Sequence, residues 1–169
     1  MATKRLTRQS WIDAGLTALV AKGPMSLAAE PLARQLGATK GSFYWHFKDV
    51  PALHDAVVKD WQSRALSDIA TALSESGSAE QRLRAFGNRL LADAQDPAIR
   101  SWAQTSAPVA DVDTERLTYI ASLLAHLGVG NPEFAQSCLA AVIGLPQLHG
   151  KTEPAKAYDT LGDLVLALK

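Results

Sequence analysis

Residues 37–48, which read G-A-T-K-G-S-F-Y-W-H-F-K, decide how this 169-residue chain is interpreted. Before them, apolar spacing predicts a helix over about residues 7–22 and a second over about 29–36. Gly37 suits the end of the second helix, because a left-handed residue costs glycine least. A third, short helix is predicted from about Thr39 to Tyr44. Two short helices joined by a few residues around a glycine predict a helix-turn-helix.

The third helix divides into an inner and an outer side. Leu32, Leu36 and Phe43 are predicted to lock the helix pair against the first helix. The outer side carries short donors, cations, a glycine and amphipathic aromatics, a composition that suits DNA. We expect phosphate contacts from Tyr44, His46 and Lys48. We expect contacts to base edges or backbone from Thr39, Lys40, Gly41, Ser42 and Trp45.

The distribution of charge agrees with this interpretation, although the net charge of the chain is zero. Residues 1–48 carry a net charge of +5, and residues 49–169 carry −5. A basic head on an acidic body suggests that the head meets a polyanion. Lys4, Arg5 and Arg8 are either a basic tail or an arm that touches DNA.

The run T-K-G-S-F-Y-W-H-F-K-D, with E-P-L-A-R-Q-L-G before it and A-L-H-D-A-V after it, resembles the TetR family of bacterial repressors. The resemblance is strong over about residues 8–58 and loose beyond. It implies a DNA-binding domain at residues 1–48 and a helical ligand-binding and dimerisation domain at 49–169, connected by a helix over about 50–74. Many members carry Lys or Arg at the position of Val50, so the valine here removes one expected phosphate contact. Members usually carry Val at the position of Ala38.

The rest of the chain also shows helical spacing. A Ser78–Gln81 capping box predicts a helix up to about Asp93, and Asp96-Pro97 and Asn131-Pro132 predict two helix starts. Further helices are predicted over about 109–127 and 153–168. The total is nine helices with no sheet, an all-α fold.

The resemblance implies a pocket for a small hydrophobic or amphipathic ligand among helices four to seven. Its expected lining is Trp61, Phe86, Leu90, Trp102, Tyr119, Leu123 and His126. The last two predicted helices are apolar over more than one face, which favours a four-helix homodimer interface. Its expected residues are Ala135, Leu139, Val142, Ile143, Leu161, Leu164 and Val165.

The leading hypothesis is a homodimeric repressor that a ligand releases from a pseudo-palindromic operator. Its alternatives are a helical DNA-binding regulator or interaction module without a ligand and, remotely, a metal-dependent enzyme using His54, Asp55 and Asp60. Enzyme motifs and Cys/His clusters are absent from the sequence, so we expect no catalytic residues, no metal and no cofactor. A single cysteine, no signal peptide and no apolar run of about 18 residues predict a cytoplasmic protein.

Overall fold

Helices make up the regular structure of the part of the chain that this computed structural model describes, residues 6–149 without 75, 127 and 129. That part holds eight α-helices, one 3-10 helix (Pro24–Ser26) and no strand, which confirms the all-α prediction. The ninth predicted helix, at about 153–168, lies outside the described residues. The α-helices are α1 (Arg8–Lys22), α2 (Ala29–Gln35), α3 (Lys40–Tyr44), α4 (Val50–Ser74), α5 (Ala79–Ala92), α6 (Gln95–Ala103), α7 (Ala107–His126) and α8 (Pro132–His149).

Side-chain caps begin several of these helices. Thr7 Oγ1 accepts a hydrogen bond from the backbone N of Ser10 at 3.2 Å at the start of α1. Ser78 and Gln81 bond each other's backbone N–H groups at the start of α5, and Asn131 Oδ1 accepts from a first-turn N–H of α8. Such caps satisfy amide groups that have no partner within the helix. The predicted starts at Ser78 and Asn131 are confirmed.

The start of α6 differs from its prediction. Asp96 was expected as an N-cap, but α6 begins at Gln95 and Asp96 lies inside its first turn. The carboxylate is buried and accepts a hydrogen bond from Arg100 one turn later. The prediction is wrong because this carboxylate is buried and pairs with Arg100, which offsets the cost of burying its charge, instead of capping the helix.

The described chain forms two compact units. The first contains the chain up to Arg64 together with Ala94–Asp113, and the second contains Ala65–Asp93 and the chain from Thr114 onward. In the first unit, buried side chains of α1, α2, α3 and α4 share one core that includes Trp11, Leu32, Phe43, Leu53 and Val57. The first half of α4 therefore packs with the head, past the predicted boundary at residue 48. The assignment of separate functions to the two segments stays a prediction.

Ion pairs join α1 to α4 within the first unit. The guanidinium of Arg64 contacts Asp13 Oδ1, and its Nε lies 2.7 Å from Asp60 Oδ2. Gln9 Nε2 donates to both carboxylates, at 3.1 Å to Asp13 and 3.0 Å to Asp60. Partial burial alone would raise the pKa of Asp13, but the hydrogen bonds from Arg64 and Gln9 and the Arg64 charge outweigh it, and the pKa is lowered. The cluster fixes α1 against α4 at a half-exposed surface.

The second unit has its own core. Residues from α4, α5, α7 and α8 form it: Ile69, Phe86, Ile120, Ala121, Leu124, Ala135 and Leu139. Cys138 packs beside this core, and burial raises the pKa of its thiol. Among the described helices, none is both long enough and apolar enough to cross a membrane.

Candidate nucleic-acid interface

A tight turn places α3 after α2. Gly37 has a φ of +64°, in the left-handed region that favours glycine. The backbone N of Ala38 donates to the carbonyl O of Ala33 at 2.8 Å and closes the turn. Thr39 Oγ1 then accepts from the backbone N of Ser42 at 3.2 Å, so Thr39 is the cap of α3 rather than its first residue. The predicted helix-turn-helix geometry is present, with boundaries moved by one residue.

Aromatic packing fixes the orientation of α3. Phe43 is fully buried, and its ring meets the edge of Trp11 on α1 at a centroid distance of 5.5 Å and an angle of 80°. Phe47 is also buried and lies 5.4 Å from Phe43. Edge-to-face aromatic pairs add stabilisation beyond their buried area. Because one side of α3 is anchored in this way, its other side is held in a defined position.

The predicted DNA-binding residues form a patch that consists of the cap of α3, α3 itself and the residues that directly follow it. The indole of Trp45 is 88% exposed and Tyr44 is 52% exposed. Ser42 and His46 are half-buried. The other predicted residues are all exposed: Thr39, Lys40, Gly41 and Lys48. The structure therefore brings all eight residues together, and their individual roles stay predictions.

Two basic residues of the head, Arg8 and His46, lie beside aromatic rings. The guanidinium carbon of Arg8 lies 4.8 Å from the ring centroid of Phe47, within the range of a cation–π contact. The His46 ring lies 6.3 Å from the Trp11 ring, centroid to centroid, so the imidazole packs beside α1. The sequence left Arg8 open between a basic tail and an arm that touches DNA, and it gave no sign of the contact with Phe47, which joins residues distant in the chain. Lys4 and Arg5 lie outside the described residues.

The first turn of α4 explains the unusual Val50. Asp49 Oδ1 accepts from the backbone N of Ala52 at 2.8 Å and caps α4. Val50 is half-buried and packs against the first core. Val50 therefore contributes to packing. A lysine or arginine at this position would have to extend its side chain away from the core to reach DNA.

The residues predicted to line a ligand pocket are distributed over both units. Trp61 and Trp102 are buried in the first unit, where Trp102 lines a cavity. The second core and its surroundings contain Phe86, Leu90 and Leu123.

Two further pocket candidates lie at the surface of α7. Tyr119 is 51% exposed. His126 is exposed, and its Nδ1 lies 2.8 Å from the carbonyl O of Ser122, so the ring is held by its own helix. Both assignments to a ligand pocket stay predictions.

The predicted dimer residues are only partly described. Ala135 and Leu139 are buried in the second core, and Ile143 packs beside it. Because these apolar side chains pack within the chain, less apolar surface of α8 remains for contact with a second copy. The side chain of Val142 and the whole of Leu161, Leu164 and Val165 lie outside the described residues.

In the described part of the chain, no group of three or more His, Cys, Asp and Glu side chains is arranged to hold a metal ion. His54, the centre of the remote metal hypothesis, instead places Nε2 2.9 Å from the carbonyl O of Leu27. A carbonyl oxygen only accepts hydrogen bonds, so this nitrogen carries a proton in the contact. In this contact Nε2 is therefore not available to a metal ion.

Comparison with known proteins relates part of the sequence to transcription regulators. A 61-residue stretch, 36% of this chain, is 38% identical to the uncharacterised HTH-type transcriptional regulator TtgW of Pseudomonas putida and covers 46% of it. A 56-residue stretch, 33% of this chain, is 39% identical to the HTH-type transcriptional regulator SrpR of the same species and covers 26% of it. The chain thus matches less than half the length of either relative. No protein-family model matches it.

Solved structures match almost the whole described fold. A transcriptional regulator described as a TetR/AcrR family member aligns with a TM-score of 0.79 at 18% identity, over 94% of this chain and 97% of that chain. A transcriptional regulator from Rhodococcus sp. Rha1 aligns at 0.76 and 19% identity, over 96% and 97%. The fatty acid degradation regulator FadR from Bacillus halodurans aligns at 0.72 and 16% identity, over 96% of each chain.

The matches to solved structures agree with the local geometry described above. The anchored α3, its turn and α2 form a helix-turn-helix head followed by a helical body. The chain has the fold of the TetR/AcrR family of transcriptional regulators, and the resemblance noted in the sequence is confirmed at that level.

Proposed function

We propose that this chain is a homodimeric transcription regulator that binds operator DNA through α3. The observation that carries the proposal is the exposure of Trp45, 88%, next to a fully buried Phe43. Phe43 fixes the backbone next to Trp45, so the indole stays exposed in the free protein. Its apolar surface is removed from water only when a binding partner covers it. Lys40 and Lys48 on the same exposed patch make a polyanion the partner that fits.

In the proposed complex, α3 enters the major groove with its N-terminal end towards the bases. Lys40, Ser42 and Trp45 contact base edges or thymine methyl groups, and Thr39 supports them from the cap position. Tyr44, His46 and Lys48 contact phosphates and set the register. Two heads related by a twofold axis then bind a pseudo-palindrome whose half-sites lie about one helical turn apart.

We further propose that a small hydrophobic or amphipathic ligand releases the protein from DNA, as a repressor. A neighbour in fold is named for fatty acid degradation, which is compatible with an apolar effector for this architecture. Ligand binding acts by stabilising a conformation in which the two heads no longer fit the operator. The proposed site of action is the cytoplasm, where the DNA is.

Footprinting on an operator selected from random DNA tests the role of α3. Tyr44→Ala with Lys48→Ala should lower the affinity for the operator by about ten- to a hundredfold, since each phosphate contact is charge-assisted. It should also reduce the salt dependence of binding by about two counterions, one for each head of the proposed dimer. Lys22→Ala is the matched control, because it removes an exposed charge of α1 away from α3. Unchanged affinity in the double variant, or a footprint without twofold symmetry, contradicts the proposal.

The ligand response is tested separately by the melting temperature of the purified protein. A ligand that binds the folded state raises the melting temperature by mass action. A panel of small apolar and amphipathic compounds should include members that raise it and that lower operator affinity in a gel-shift assay. No shift across the panel, with operator binding intact, favours a regulator that works without a small ligand.

A further inference from the structure

A small cavity lies inside the first unit, between the first half of α4, the end of α6 and the start of α7. Its volume is about 160 Å³. Buried Val58, Trp102 and Val109 form its inner wall, and exposed Asp55 and Lys59 stand at its rim. Cavities of about 150 Å³ accept one benzene-sized ring. The size and the largely apolar wall therefore suit a ligand with a single ring.

His54 is the half-buried hydrogen-bonding side chain of α4 that lines this cavity. Its ring stands edge-on to Trp102, with the centroids 5.0 Å apart at 90°. Its Nε2 donates to the carbonyl O of Leu27 at 2.9 Å. A neutral imidazole that donates through Nε2 has its lone pair on Nδ1. Within the described residues this second nitrogen has no hydrogen-bond partner, so it offers an acceptor to a ligand.

The rim does not favour a charged ligand. Asp55 and Lys59 carry opposite charges and lie four residues apart on α4, so their fields largely offset each other at the mouth of the cavity. A neutral ring with a hydrogen-bond donor is the chemistry that satisfies both the apolar wall and the acceptor of His54.

We propose that this cavity binds a monocyclic phenol, with the ring against Trp102 and Val109 and the hydroxyl group donating to Nδ1 of His54. The inference deepens the proposed ligand response, on which its regulatory meaning rests, by naming a place and a ligand class.

A ligand bound in the cavity acts on the helix-turn-helix through His54. A hydroxyl that donates to Nδ1 polarises the imidazole and strengthens the hydrogen bond from Nε2 to Leu27. Leu27 directly precedes the α2 start at Ala28–Ala29, and its side chain is buried in the first core. The ligand therefore stabilises a contact between α4 and the segment that leads into the DNA-binding helices.

Calorimetry on the full chain without DNA tests the site with phenol, toluene and benzoate, which share one ring. Phenol should bind with a stoichiometry of one per chain and about five times more tightly than toluene, the factor expected from one hydrogen bond. Benzoate should bind more weakly than phenol. Equal or tighter binding of toluene, tightest binding of benzoate, or no binding of any probe each overturns the proposal.

Variants locate the site. Val109→Phe fills the cavity and should abolish phenol binding. His54→Phe keeps a ring beside Trp102 but has no hydrogen-bonding atom, so the preference for phenol over toluene should fall to about one. His126→Phe, on the exposed surface of α7, is the matched control and should keep the preference. Retained preference in His54→Phe overturns the proposal.

A measurement on the unmodified protein covers the case in which a cavity variant does not fold. Phenol, but not toluene, should shift the imidazole ¹⁵N resonance of one of the four histidines. No such shift at saturating phenol overturns the assignment to His54. Gel-shift assays on the same preparations separate the two proposals, because intact operator binding without phenol binding leaves the DNA-binding role in place.

Discussion

Adding one methyl group to α3 distinguishes the needs of the fold from those of DNA. Gly41 is the second residue of the helix and is exposed, and its backbone is helical. A Cβ there would meet Thr39 Oγ1 at 3.7 Å, an ordinary van der Waals distance. The fold therefore accepts Gly41→Ala without strain. DNA would not accept it equally well if the backbone of α3 approaches the bases closely.

The two effects of Gly41→Ala have opposite signs. Alanine in a helix is about 0.5–1 kcal/mol more stable than glycine. For a chain of this length, 1 kcal/mol corresponds to about 2–4 °C, so the melting temperature should rise by about 1–4 °C. On DNA, the methyl group pushes α3 outward and weakens the hydrogen bonds of Lys40 and Ser42, each of them worth about 1 kcal/mol. Operator affinity should fall by about five- to thirtyfold.

Thermal unfolding and fluorescence anisotropy with a labelled operator measure both effects on the same samples. Ser63→Ala is the matched control, because it raises helix propensity at an exposed position of α4 away from α3. It should stabilise the protein slightly and leave operator affinity unchanged. A Gly41→Ala variant that melts higher and binds the operator as tightly as the parent refutes a close approach of α3 to DNA. A lower melting temperature refutes the statement that the fold accepts the methyl group.

Three further predictions concern the head. Phe43→Ala should lower the free energy of unfolding by about 3–5 kcal/mol. Urea unfolding measures this loss beside that of the milder Phe43→Leu. A loss below about 1 kcal/mol in Phe43→Ala contradicts the role of Phe43 as an anchor. Asp13, whose pKa is lowered in the folded chain, stabilises it above its ordinary pKa and loses that contribution as the pH falls through the folded value. Asp13→Asn should therefore cost less than about 1 kcal/mol at neutral pH, a difference that shrinks in acid, and urea unfolding at several pH values checks this. Val50→Lys should raise operator affinity about two- to fivefold and steepen its salt dependence by about two counterions, one for each head, and a flat response shows that no phosphate lies near the start of α4.

Local patterns predicted the tight turn of the head and the caps of later helices well. The glycine at position 37 has the positive φ expected of it, and the caps at Ser78 and Asn131 occur where short-range hydrogen bonding demands them. These features depend on a few neighbouring residues, so no knowledge of the rest of the chain is needed. The resemblance to the TetR family likewise rests on one continuous run around α3.

Distant packing limited the other predictions. The start of α6 moved because Asp96 is buried with Arg100, which its local sequence does not reveal. The pocket candidates were chosen by helical spacing, which gives one face of a helix but not the helix that covers it. Trp61 and Trp102 consequently lie in one unit while Phe86 and Leu90 lie in the other.

An all-helical chain with a basic helix-turn-helix head could be predicted from the sequence, because periodicity, turn residues and charge are properties of short segments. The folded structure was needed to see that Phe43 is buried against Trp11 while Trp45 is exposed, and that His54 contacts Leu27 beside a ring-sized cavity. These contacts join residues separated by tens of positions. Their geometry follows from how the helices pack, which no local pattern encodes.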